Sequence, residues 1–201
     1  MKIIGLCGRS GSGKGYVCEL IARRGYPCID TDAVYRRLTA PAAKPRALVR
    51  ELARVFGDIV VAPDNSLDRH ALGAIVFSDR AALESLDRTA HKHILKETRR
   101  ILAKCEKDCA PLAVVDAPVL FESGFDKECD FTLCVTASEA TRLRRIMRRD
   151  GIDEQAARRR LASQKSDGEL RALCDVVIVN DGDDEALDKS IAALISSLTD
   201  D

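Results

Sequence analysis

The chain has no surplus of charge of either sign. Its 32 lysine and arginine residues are balanced by 32 aspartate and glutamate residues. Without a net field, nothing draws the whole molecule toward nucleic acid or an anionic membrane surface. Long apolar runs are also missing. Only Ile3-Ile4-Gly5-Leu6-Cys7 lies between Lys2 and the first glycine loop, too short a stretch for a signal peptide, and no later run approaches the length of a membrane span. Histidine is scarce, and His70, His91 and His93 offer no metal site of their own. Of the eight cysteines, Cys105 and Cys109 stand one helical turn apart, but no second pair at zinc spacing accompanies them. A chain this long and helix-rich needs no disulfide framework. Cys7, Cys28, Cys134 and Cys174 fall within apolar runs, where they read as small hydrophobes. This cysteine usage is that of a reduced, cytoplasmic protein. There is no internal repeat or low-complexity segment, and only Leu198–Asp201 is expected to fray. A length of 201 residues suits one domain with a full core and small insertions.

What the sequence does contain begins directly behind the first apolar run, with Gly8-Arg9-Ser10-Gly11-Ser12-Gly13-Lys14. A buried strand, this loop and a helix from Lys14 to about Arg24 are the context that a phosphate-binding P-loop requires. Glycines let successive backbone N–H groups turn inward around a polyphosphate. The helix adds the positive end of its dipole, and Lys14 a mobile point charge. An ordinary glycine-rich turn would need neither the lysine nor the helix. Residues 8 to 16 are therefore predicted to surround the phosphates of ATP. One position departs from the usual pattern. A Ser or Thr hydroxyl that ligates Mg²⁺ normally follows the lysine; here Gly15 and then Tyr16 follow. Water is expected to fill that corner of the Mg²⁺ octahedron.

Five short apolar runs read as buried parallel strands: Lys2–Cys7, Pro27–Asp30, Leu112–Asp116, Phe131–Val135 and Val176–Val179. Helical patterns alternate with them, which predicts a three-layer, doubly wound parallel α/β sheet. The core is assigned to residues 1–34, 108–140 and 174–201. The gap between the second and third strands is too long for one crossover helix. It contains helical stretches at Lys44–Phe56 and Thr89–Lys107, broken by Pro41, Pro45 and Pro63. Residues 35–107 thus form a helical insertion suited to a second substrate. Residues 141–173 form an arginine-rich segment. Arg142, Arg144, Arg145, Arg148 and Arg149 fill one helix, and Arg158, Arg159 and Arg160 sit on the next, after the turn at Asp150-Gly151. Helical spacing places Arg145 and Arg149 on one face, with Arg142 and Arg148 near it. The cluster fits a solvated face, a nucleic-acid patch or a phosphate-facing lid. Nucleic acid ranks last, because no aromatic residue lies among these arginines to stack a base.

Ile29-Asp30-Thr31-Asp32 ends the second strand. Two carboxylates at a strand's carboxyl end, near a polyphosphate loop, suit a base for a substrate hydroxyl. Either could instead cap a helix that begins at Ala33. Asp116, closing the third strand, is similar to the acidic residue that holds Mg²⁺, usually through water. Glu122, in the segment that leaves the sheet, is either a polar residue of the site or an ordinary loop carboxylate. The order of these motifs, with Leu67-Asp68-Arg69, Leu72-Gly73, Val76-Phe77, His91, Pro118 to Glu122, Arg145, Arg149-Asp150, Gln164 and Asn180, resembles the dephospho-coenzyme A kinase family over nearly the whole length. Lys92 stands where that family has proline after the histidine.

The resemblance implies a P-loop, nucleotide-kinase-like fold and ATP-dependent transfer of phosphate, with Mg²⁺, to the ribose 3′-hydroxyl of dephospho-coenzyme A. It implies Asp32 as the base, Lys14 and the loop amides as phosphate ligands, and Arg145 as the group that neutralises developing charge. It also places Asn180 near the adenine of ATP, and Arg69 and His91, with Asp32 and Glu122, at the acceptor. Two other readings stay open: a kinase of another small hydroxylated acceptor such as a nucleoside, and a nucleotide-binding regulator without turnover. A GTPase is disfavoured, since the Asn-Lys-x-Asp guanine signature does not occur.

Overall fold

The apolar runs form a five-stranded sheet in the computed structural model, which describes residues 1–199. The strands are β1 (Lys2–Cys7), β2 (Cys28–Asp30), β3 (Leu112–Asp116), β4 (Phe131–Thr136) and β5 (Val176–Val179), in the spatial order β2-β3-β1-β4-β5. β1 is central. It pairs in parallel with β3, matching Leu6 to Asp116, and with β4, matching Cys7 to Cys134. β4 pairs in parallel with β5. Period-two alternation explains the two faces. Ile4, Leu6, Leu112, Val114, Leu133 and Val135 share one core with Val17 and Ile21 of α1 (Lys14–Arg23) and Leu187 and Ile191 of α9 (Asp184–Thr199). On the other face, Gly5 leaves room for Leu120, whose side chain a Cβ at residue 5 would strike at 2.9 Å.

Between these strands run α2 (Thr31–Leu38), α3 (Ala47–Phe56), α4 (Arg69–Val76), α5 (Arg80–Lys107), α6 (Glu139–Asp150), α7 (Glu154–Ala162) and α8 (Asp167–Leu173). The chain divides into two compact units. One is Met1–Ile29 with the described residues from Lys104 onward; the other is Asp30–Ala103. Among the described residues no helix is long and apolar enough to cross a membrane. α9 continues helically through Leu198 and Thr199, so the expected fraying does not reach those two residues; the remainder of that stretch lies outside the described residues.

Several boundaries differ from the sequence expectation. The helix expected from Lys44 starts at Ala47, because Arg46 is extended, with φ −65° and ψ 163°. The helix expected from Thr89 begins at Arg80. Asp79 accepts hydrogen bonds from the amides of Ala81 and Ala82, which satisfies the exposed N-terminal donors, and Ala, Leu and Glu in the first turns favour helix. α2 begins at Thr31 rather than Ala33, with Asp30 as its N-cap.

The second unit has its own core of Leu48, Val49, Leu52, Val60, Leu67, Leu72 and Val76. On its surface Glu51 receives Lys92 Nζ at 2.8 Å and His93 Nε2 at 2.6 Å. His93 is thus paired, and its side chain is only 14% exposed, whereas His70 is exposed. Lys92 gains a partner that proline could not supply. Hydrogen bonds from Lys92 and then His93 pull the Glu51 carboxyl from 4.5 down to about 2. A depressed carboxyl pKa adds stability that is present above the unfolded value and is lost as pH falls through the folded one. Thermal melts of wild type and Glu51→Gln should therefore differ at neutral pH and converge between pH 4.5 and about 2. A melting difference that stays constant across that window would remove this role for Glu51.

Candidate active site

The central strand delivers the glycine loop, and the backbone there accepts little besides glycine. Gly8 has φ +149°, and a Cβ on it would collide with the carbonyl oxygen of Val135; Gly13 has φ +93°, and a Cβ there would strike the Asn180 amide nitrogen. Gly13 is also the left-handed N-cap of α1, so the loop turns into the helix with its orphan amides at the turn. Lys14 Nζ lies along the loop and donates to Gly8 O at 2.8 Å. Ser12 is fully buried, and its hydroxyl has no hydrogen-bond partner among the described residues. A buried hydroxyl without a partner is costly unless something else satisfies it, and a phosphate oxygen is a suitable acceptor. Gly15, exposed in the first turn of α1, meets nothing within 4 Å of an added Cβ. Its lack of a side chain is therefore not imposed by crowding. Tyr16 packs half-buried against the sheet core.

A second layer of polar contacts braces this loop. Arg145, on α6, donates from one terminal nitrogen to Gly11 O at 3.2 Å, Ser12 O at 3.3 Å and Asn180 O at 3.0 Å, and from the other to Asn180 Oδ1 at 3.2 Å. Asn180, just past β5 and buried, donates its side-chain amide to Ser12 O at 3.0 Å. Gln164 accepts from the amide of Ser10 at 2.9 Å, and Arg149 reaches the Ser10 hydroxyl at 3.3 Å. Sequence reasoning named Arg145, Arg149, Gln164 and Asn180, but it did not see that all four converge on the loop within one unit, three on its backbone and Arg149 on the Ser10 side chain.

It missed Asp167 altogether. Asp167, the first residue of α8, takes both terminal nitrogens of buried Arg142, at 3.1 and 2.7 Å, and also pairs with Arg9 at 3.5 Å. Arg9 in turn donates to the carbonyl of Leu161. The available signal was the capping box formed by Ser166 and Glu169, which marks the start of a helix. Two parallel hydrogen bonds between buried Arg142 and half-buried Asp167 fix the geometry of this ion pair. The remaining arginines are mostly solvated. Arg158 pairs with Glu139 and Glu154, Arg160 with Asp150, and Arg144, Arg148 and Arg159 are exposed.

Asp116 closes β3 opposite Leu6, two residues before Gly8, and the amide of Ala117 bonds Leu6 O at 3.0 Å. A carboxylate beside the strand that feeds the loop is a fitting oxygen ligand for a hard divalent cation. Glu122 is exposed and pairs with Lys165 at 3.2 Å.

In the other unit the two aspartates after β2 have different surroundings. Asp30 caps α2, accepting from Ala33 N at 3.0 Å, and pairs with Arg36 at 3.2 Å. Asp32 lies in the first turn of α2 and is exposed. Capping is thus assigned to Asp30, and Asp32 does not serve it. Arg69 lies 5.6 Å over the Tyr35 ring and donates to the Thr39 hydroxyl at 3.4 Å. Burial raises the Tyr35 hydroxyl's pKa, while Arg69 lowers it. His91 is half-buried on α5.

Comparison with known proteins agrees with this architecture. The family model for CoaE, dephospho-CoA kinase, matches residues 2–185. A dephospho-CoA kinase of Leifsonia xyli subsp. xyli is 39% identical over 199 residues, covering 98% of this chain and 99% of the relative. The crystal structure of TT1252 from Thermus thermophilus superposes with a TM-score of 0.82 at 34% identity, covering 98% of each chain. A dephospho-CoA kinase from Campylobacter jejuni shares the fold, with a TM-score of 0.72 at 23% identity over 100% of this chain and 98% of its own. On the family model and these relatives, the chain belongs to the dephospho-CoA kinase family.

Proposed function

We propose that this kinase transfers the γ-phosphoryl group of ATP to the ribose 3′-hydroxyl of dephospho-coenzyme A. The observation that carries the reading is the loop itself: a glycine backbone that tolerates no Cβ at Gly8 or Gly13, Lys14 lying along it, and a buried Ser12 hydroxyl without a partner among the described residues. Lys14 and the loop from Gly8 to Tyr16 would hold the triphosphate, with the amides of Ser10 and Ser12 already bonded to Gln164 and to Arg9 O. Lys14 would exchange its bond to Gly8 O for the outer phosphate oxygens, a small rearrangement of a flexible stem.

Arg145 and Asn180 support the reading by tying down the loop carbonyls. In a trans peptide the N–H points opposite the C=O. Fixing Ser12 O therefore aims the Gly13 amide away from Arg145 and Asn180. To add positive charge where the transferring phosphoryl group develops negative charge, as the family pattern implies, Arg145 would swing away from these carbonyls. For Asn180, holding the loop accompanies the place near the adenine that the family pattern assigns. Asp116 would hold Mg²⁺, with water where Gly15 supplies no hydroxyl, and the ion would supply positive charge for the phosphates.

Asp32 would act as general base and take the proton of the ribose hydroxyl. Its exposed place in the first turn of α2, with Asp30 already committed to the cap and to Arg36, leaves its carboxylate for substrate. Arg69 would contribute positive charge for acceptor phosphates, with His91 and Glu122 as further acceptor contacts. No membrane or nucleic-acid partner enters this reading, and the cysteine usage fits a cytoplasmic enzyme.

ADP release with a panel of acceptors tests the substrate. Dephospho-coenzyme A should support turnover well above adenosine, uridine and nucleoside monophosphates. Faster turnover with a nucleoside would assign a different acceptor, and no turnover with any of them would leave a nucleotide-binding regulator.

A pair of variants tests the base. General-base catalysis contributes about 10²–10⁴-fold, so Asp32→Asn should lower kcat by that order with ATP affinity little changed. Asp30→Asn should retain most activity, because asparagine caps a helix as well as aspartate. Equal, small losses in both would deny Asp32 the proton-accepting role.

A further inference from the structure

Three of the eight cysteines meet at the root of the glycine loop. Cys7 ends β1, Cys134 is its register partner on β4, and Cys174 is the C-cap of α8. They are far apart in sequence, yet their three Sγ atoms lie within 4.8 Å of one another, with Cys7 and Cys174 at 3.3 Å. Cys7 and Cys134 are buried, and Cys174 is half-buried. Buried cysteines usually serve as small hydrophobes, and singly these would. Their mutual placement is different, because it turns three soft donors toward one point. A metal–sulfur bond of about 2.3 Å implies sulfur–sulfur separations of about 3.8–4.0 Å in tetrahedral or trigonal geometry. The triad already lies close to that span.

We infer that Cys7, Cys134 and Cys174 form a three-thiolate site for a thiophilic d¹⁰ metal ion. Soft thiolates select univalent copper and zinc over Mg²⁺, which needs oxygen ligands. The two metal sites are therefore chemically separate, and the proposed one plays no part in phosphoryl transfer. Three sulfurs and no fourth His, Cys or carboxylate ligand among the described residues suit three-coordinate Cu(I), or Zn(II) completed by water on the side of half-buried Cys174. A bound ion would displace the thiol protons on binding, so its affinity rises with pH. Occupancy would tie β1, β4 and the end of α8 together directly before Gly8.

Metal retention by the reduced full-length protein tests the site. One equivalent of Zn(II), or of Cu(I) under anaerobic conditions, should survive dialysis against a weak chelator. Loss of partners outside the ligand set alone weakens metal sites by about 10–100-fold, so removing a ligand in Cys134→Ala or Cys174→Ala should weaken binding by more than about 100-fold. The double variant Cys18→Ala/Cys28→Ala should bind as wild type. Bound metal should also raise the melting temperature of wild type and not of Cys174→Ala. A readout on wild type alone guards against variants that fail to fold: one equivalent of metal should slow iodoacetamide labelling of Cys174 and leave exposed Cys109 unaffected. No retained metal, retention indifferent to the triad variants, or unaltered Cys174 labelling at saturating metal would each overturn the inference.

Discussion

The contact on which the nucleotide half depends is that of the Arg145 guanidinium with the carbonyls of Gly11, Ser12 and Asn180. A glycine loop is free to take many shapes, and that freedom costs entropy when it orders around a ligand. Here a single charged side chain holds one side of the backbone, with Asn180 filling the space that a Cβ at Gly13 would occupy. The loop is thereby ordered before a phosphate arrives. Preorganised donors of this kind are effective because they need no rearrangement as charge develops.

The same dependence accounts for the arginine-rich segment. Its small core of Leu143, Ile146, Ala157 and Leu161 packs α6 against α7, and its polar contacts run back to the loop through Arg145, Arg149, Gln164 and the carbonyl of Leu161. The pair of buried Arg142 with half-buried Asp167 fastens α6 to α8. Asp167 also pairs with Arg9 of the loop, so replacing it would leave buried Arg142 without this partner and loosen the brace on the loop. The surface pairs of Arg158 and Arg160 contribute little by comparison.

Much of this was legible in the sequence. The apolar runs located all five strands to within a residue or two, since buried parallel strands leave an uninterrupted apolar signature. The loop was legible because its glycines, lysine and following helix serve one physical purpose. The long gap before β3 disclosed inserted helices. Helix starts were harder to place: a cap by Asp30 was one of two readings open, and Asp79 sets the start of α5 through a side-chain cap that periodicity does not register. The three-cysteine cluster was invisible for a different reason. Residues 7, 134 and 174 meet only once strand order is known, and no local spacing announces the order β3-β1-β4-β5. The convergence of Arg145 and Asn180 on loop carbonyls was hidden in the same way.

All of these contacts serve one claim, that the loop ending in Lys14 binds the triphosphate of ATP. The direct measurement is the affinity for ATP and the turnover of Lys14→Ala, with circular dichroism and melting recorded alongside. Removing a point charge from a partly dehydrated phosphate site should reduce turnover by at least about 100-fold and weaken ATP binding, while secondary structure and melting stay near wild type. Unchanged affinity and turnover in a folded Lys14→Ala protein would contradict the account.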